Sequence, residues 1–218
     1  MNVAGAKGRL VTLEGGEGAG KSTVLEAVRA RLASHGLDVV VTREPGGTDL
    51  GESLRALVLD PARRELCAES ELLLMFAARA QLVRERIQPA LAQGRWVLSD
   101  RYTDASYAYQ GGGRGQPDTR IASLEEWAAP VRADFTLLLD VPVAQGLARA
   151  GGRGGADRIE SENAAFFERV RAAYRVRALA EPARFRLIDA ARSLEEVRTA
   201  ACSAIDAFVA AHSGGERR

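Results

Sequence analysis

The chain has 218 residues, 46% hydrophobic and 27% charged, with a formal net charge of +1. That length fits one sizeable domain with an ordinary apolar core. Near-neutrality excludes polyanion binding driven by bulk charge, and no apolar run is long enough for a membrane span or a signal core, so a cytoplasmic protein is expected.

Residues 1–9 read as a flexible N-terminal tail and residues 10–212 as the folded domain. Leu10-Val11-Thr12-Leu13-Glu14 predicts a short buried strand. Gly15, Gly16, Glu17, Gly18, Ala19, Gly20, Lys21, Ser22 and Thr23 follow, a glycine, four residues and then Gly-Lys-Ser, which is the phosphate-cradling P-loop pattern. Val24, Leu25, Val28 and Leu32 then recur at helical spacing up to His35-Gly36. Strand, loop and helix therefore follow without a gap, as a P-loop requires. Backbone N–H groups and the helix N-terminus would receive phosphate oxygens, Lys21 would reach the β- and γ-phosphates, and the Ser22 hydroxyl would ligate Mg²⁺. Of the 30 basic residues only Lys7 and Lys21 are lysines, and Lys7 lies in the tail. A lysine kept where nearly every other cation is arginine points to a site that needs a compact ammonium.

Leu37–Thr42 predicts a second strand ending in the turn Arg43-Glu44-Pro45-Gly46-Gly47-Thr48. A helical stretch runs from about Glu69 towards Gly94, kinked or split near Pro89. Within it Phe76 and Arg79 stand three apart and share a helical face, a pair that could stack on and hydrogen-bond a base but that, taken alone, is more often core with a snorkelling arginine. Trp96–Asp100 predicts a third strand with Arg101-Tyr102 past its end; Asp100 and Arg101 could hold Mg²⁺ and a phosphate, or pair with each other. Phe135–Asp140 and Phe185–Ile188 predict two further strands, Leu194 to Ala211 a last helix, and 213–218 a polar flexible tail. Between the last two strands, Arg149 to Glu160 carries glycines that give mobility and arginines that could clamp anions, the composition of a lid. Apolar strands joined by helices imply an α/β protein with a parallel sheet covered on both faces and a site at the C-terminal strand ends. Cys67 and Cys202 form no metal or redox spacing and read as two buried or half-buried thiols.

Taken together, these segments resemble a known family. Glu14–Thr23, Thr42–Thr48, Phe76-Ala77-Ala78-Arg79, Asp100-Arg101-Tyr102, Ala108-Tyr109-Gln110-Gly111-Gly112 and Asp157-Arg158-Ile159-Glu160 are similar to the motifs of bacterial thymidylate kinases. The resemblance implies a P-loop NTPase fold with five parallel strands and a mobile lid at about 149–160, usually as a homodimer. It implies transfer of the γ-phosphoryl of ATP to thymidine monophosphate, with Mg²⁺, on the way to dTTP. By matching positions, Arg43 and Arg101 grip the acceptor phosphate and Phe76 stacks on thymine. Arg79 bonds a ring carbonyl, Ser106 meets the ring N–H, Tyr109 lies beneath the sugar with Gln110 beside it, and Glu17 approaches the 3′-hydroxyl and the metal. Arginine forks suit phosphate oxygens, and phosphoryl transfer needs positioning and charge neutralisation above all. Apart from Lys21 the P-loop carries no basic residue, so an arginine for the transition state is expected from the lid: Arg153 is the candidate, Arg149 orients the lid at the ATP side, and Arg158 is paired structurally.

A kinase for another nucleoside monophosphate, such as deoxyuridylate or guanylate, would share loop and lid. A P-loop GTPase switch would need Asn-Lys-x-Asp, and neither Asn2 nor Asn163 is followed by lysine. A nucleic-acid-dependent ATPase would need an extended basic stripe, which this sequence lacks.

Overall fold

The computed structural model describes residues 8–151 and 157–213. Strands β1 (Leu10–Gly15), β2 (Val39–Arg43), β3 (Trp96–Asp100), β4 (Phe135–Asp140) and β5 (Phe185–Asp189) form one parallel sheet in the order β2-β3-β1-β4-β5. β1 is buried throughout and β4 along nearly its whole length, as expected for apolar runs in a sheet covered on both sides. The path moves outward from β1 to β2 and thereafter steps back across the sheet to β5. Right-handed crossovers then place α1 (Lys21–Ser34) on one face and the helices between β2 and β5 on the other, and α9 (Leu194–Ser213), after the last strand, packs beside α1. The reversal at β1 opens the crevice into which the loops after β1 and β3 project.

The second face carries α2 (Asp49–Leu59), α3 (Ala68–Leu82), α4 (Gln88–Ala92), α5 (Thr103–Ser106), α6 (Asp118–Ala128), α7 (Val143–Ala150) and α8 (Ala164–Ala180). The Thr48 hydroxyl caps α2 by accepting from Gly51 N–H at 3.0 Å, and Asn163 caps α8 by accepting from Phe166 N–H at 3.0 Å. The long helix expected from Glu69 does break before Pro89, through a π-helical turn at Val83–Ile87. Proline has no N–H to donate, and the wider turn accommodates that missing bond. A second π-helical segment, Tyr107–Gly113, packs against α8. A β-carbon at Gly112 would stand 2.7 Å from the Ala173 β-carbon, so glycine is what lets the two segments approach.

Three expectations change in detail. Gly8 is already buried and Arg9 donates to Asp134 at 2.8 Å, so the expected tail of residues 1–9 joins the fold by Gly8. α9 continues to Ser213. Cys67 is exposed at the start of α3, while Cys202 is partly buried; both are free.

Candidate active site

Gly20 begins α1 with no side-chain cap, and the first turn holds no acidic residue. The N–H groups of that turn are thereby left to an anion. Lys21 Nζ donates to the carbonyls of Gly15 at 3.2 Å and Gly16 at 3.0 Å, which folds the side chain back over the loop. Burial, with Arg101 nearby, pushes the Lys21 ammonium down to about 8. The tip of the loop rests directly on α7: a β-carbon on Gly18 would lie 1.9 Å from Gly146 O, and one on Gly146 would lie 2.4 Å from Glu17 O.

In front of the loop lies a cavity of about 270 Å³. Glu17 to Ser22 form one wall and Arg43, Glu44, Pro45 and Arg55 another; Asp100, Arg101, Tyr109 and Gln110 line the floor, and Asp157, Ile159 and Glu160 come from the far end of the expected lid segment. Arg101 ties these walls together. Its Nη1 donates to Gly15 O at 2.8 Å and to the Tyr174 hydroxyl at 3.2 Å, and its Nη2 donates to Glu17 Oε1 at 2.9 Å. Tyr109 Oη donates to the same Glu17 oxygen at 2.9 Å, and the guanidinium lies 4.8 Å from the Tyr109 ring centre. Arg43, more exposed, donates to Glu52 at 2.9 Å; Arg55 donates to Pro45 O at 2.9 Å.

Two buried oxygens on the cavity floor have no protein partner, Asp100 Oδ1 and Gln110 Oε1. The Gln110 amide is held with its nitrogen on Glu71 Oε1 at 2.8 Å, so its oxygen is left to accept. Such acceptors are costly to bury unless a ligand completes them.

Lys21, Ser22, Glu17, Asp100, Arg43, Arg101, Tyr109 and Gln110 thus meet at one cavity. Phe76, Arg79 and Ser106 lie behind its wall. Phe76 is buried with Leu72, Tyr107 and Ile121, and Met75 takes the cavity side of α3 instead. Adjacent helical residues point about 100° apart, and in this structure the rotation of α3 on its neighbours turns Met75 to the cavity. Arg79 is fully buried beside the Phe76 ring, and its donors reach Glu44 at 2.7 Å, Ser106 Oγ at 2.9 Å and Tyr102 O at 3.1 Å. Arg149 lies on the other side of the P-loop, donating to Ala190 O at 2.8 Å in a depression lined by Gly18, Ala19, Gly20 and Val24. Arg158 is paired structurally, as expected, although its partners are Glu71 at 2.6 Å and Val58 O at 2.7 Å. Its neighbour Asp157 accepts instead from the N–H groups of Ile159 and Glu160. Arg153 lies outside the described residues. Arg55, Met75 and Tyr174 carry no motif, and only the packing of distant elements brings them here; Glu14 stands in the Glu14–Thr23 motif, but nothing in the sequence assigns it a role.

A family model described as thymidylate kinase matches residues 13–201. The chain belongs to the thymidylate kinase family. It is accordingly a phosphotransferase whose acceptor is thymidine monophosphate. A thymidylate kinase of Pseudomonas putida (strain GB-1) is 57% identical over 192 residues, covering 88% of this chain and 91% of that protein. One from Alkalilimnicola ehrlichii is 56% identical over 196 residues, covering 89% and 90% respectively. Among solved structures, the thymidylate kinase of Ehrlichia chaffeensis superposes with a TM-score of 0.74 at 29% identity, covering 93% of this chain and 98% of that one. No described helix is long and apolar enough to cross a membrane.

Proposed function

We propose that the 270 Å³ cavity takes thymidine monophosphate with its phosphate between Arg43, Arg55 and Arg101, and that ATP lies along the P-loop with its base toward Arg149. The enzyme then passes the γ-phosphoryl directly from one nucleotide to the other, in a cytoplasmic setting. The observation that carries this reading is Arg101, whose guanidinium touches the P-loop backbone, Glu17 and the hydroxyl of Tyr174 while stacking on Tyr109. Donor and acceptor sites therefore share one cation. The Gln110 oxygen is a ready acceptor for the ring N–H, Met75 supplies an apolar surface for the base, and Tyr109 supplies the floor for the sugar. Arg79 contributes through Ser106 and Glu44 rather than from an open position.

Mg²⁺ fits the residues present. Asp100 Oδ1 is buried without a partner beside Ser22, and no group of three or more metal-binding side chains occurs among the described residues. That donor set suits an ion held by one carboxylate, a hydroxyl, water and nucleotide phosphates. When bound, the ion neutralises phosphate charge. Lys21 and Arg101 hold the phosphates in place, Glu17 and Tyr109 fix Arg101, and Arg153 supplies a further cation for the transferring group. A second copy of the chain covers the apolar groove between α3 and α6, giving a homodimer.

A coupled assay of ADP release across a panel of nucleoside monophosphates tests this. Thymidine monophosphate should be turned over well ahead of guanylate and of the ribose analogue. Comparable kcat/KM for guanylate would overturn the acceptor assignment.

A further inference from the structure

Arg101 is the only described residue other than glycine with a positive φ, at 68°. Left-handed backbone is unfavourable for an arginine and persists only where the surroundings hold it there. Three restraints do so. Arg101 N–H donates to Leu13 O at 3.0 Å, its carbonyl accepts from Ser99 Oγ at 2.6 Å, and the next N–H, that of Tyr102, donates to Glu14 Oε1 at 2.7 Å. The other Glu14 oxygen accepts from the Tyr174 hydroxyl at 2.7 Å. A guanidinium only donates, so the Tyr174 oxygen accepts from Arg101 and its own proton goes to Glu14. One carboxylate therefore fastens the backbone behind Arg101 and, through a tyrosine, the head of its side chain.

Glu14 and Tyr174 are both buried and neither lines the cavity, so neither touches substrate. Burial, with Asp104 adding repulsion, pushes the Glu14 carboxyl up to about 8. We propose that Glu14 and Tyr174 are positioning residues for thymidylate phosphorylation, holding Arg101 in the left-handed turn that aims it at the acceptor phosphate. The inference rests on the assignment of Arg101 to that phosphate.

A double-mutant cycle with full steady-state kinetics tests it. Tyr174→Phe should lower kcat/KM for thymidine monophosphate about ten-fold or more, the scale of a hydrogen bond to a charged group, while KM for ATP stays within about two-fold. In an Arg101→Ala background the same change should have no further effect. Glu14→Gln, which keeps a carbonyl acceptor for Tyr102 but turns a donating amide NH2 toward Tyr174, should reproduce the loss without lowering Tm. Wild-type kinetics in both Tyr174→Phe and Glu14→Gln, or an undiminished Tyr174→Phe effect without Arg101, would overturn the proposal. Unchanged thymidylate kinetics in Arg101→Ala alone would instead remove the acceptor assignment beneath it.

Discussion

Lys21 shows how much a phosphate site depends on the charge state of one atom. Its ammonium, resting on the Gly15 and Gly16 carbonyls, is held down to about 8 by burial and by Arg101. The protonated form is the one that binds phosphate, so affinity is present below about 8 and falls as pH rises through that value. Bound phosphates favour the ammonium and return its pKa towards the usual lysine range. Between about pH 8 and 10, kcat/KM for ATP should therefore decline while kcat holds, because the first reports the free enzyme and the second the complex. Lys21→Arg, which does not titrate there, should lose turnover and also lose that basic limb; a limb that survives belongs to another group. At this scale the sequence was informative where a residue sits at a strand end. Lys21, Asp100 and Arg101 are placed by the chain direction alone. Met75 and Phe76 lie four and three residues before Arg79, and both spacings put a residue on its face. Only the rotation of α3 in the fold separates them.

The elements divide in the same way. The strands are apolar runs bounded by turn residues, and all five were legible. The π-helical segments were not, since no side-chain pattern marks a wider turn, although Tyr109 and Gln110 stand on one of them. The segment from Asp157 onward is anchored through Arg158. Arg158 is buried and bonds Glu71 and Val58 O; Glu71 in turn holds Gln110 and Arg114. Removing one partner of a buried pair costs about 3–5 kcal/mol because the other charge is left behind. Arg158→Ala should lower unfolding free energy by about that amount in denaturant titration. It should also raise KM for thymidine monophosphate by releasing Gln110. A stability change under about 1 kcal/mol would mean that solvent replaces the pair.

At the scale of the whole molecule, an apolar groove lies between α3 and α6. Trp127 is 82% exposed and Leu73 58% exposed at its rim. Large exposed aromatic and aliphatic groups around an apolar depression are the composition of an interface centre. The groove is backed by α3, which also presents Met75 to the cavity, so pairing of copies would brace the wall of the acceptor site. Sedimentation velocity should show a dimer for the wild type, with Trp127→Glu shifted to monomer at the same concentration and with weaker thymidylate binding. A wild-type chain that remains monomeric at tens of micromolar would leave the groove without this role.

The contact between Gly18 and Gly146 has a consequence for how the sequence can change over time. These positions are far apart in the chain, yet a β-carbon on either would run into the backbone of the other segment. Most tight packing can be renegotiated, because a larger side chain at one place is offset by a smaller one opposite. Here both partners already carry the smallest side chain there is, so neither can yield room to the other. The P-loop and α7 therefore constrain each other: a side chain added at either glycine would need the backbone of the other segment to move.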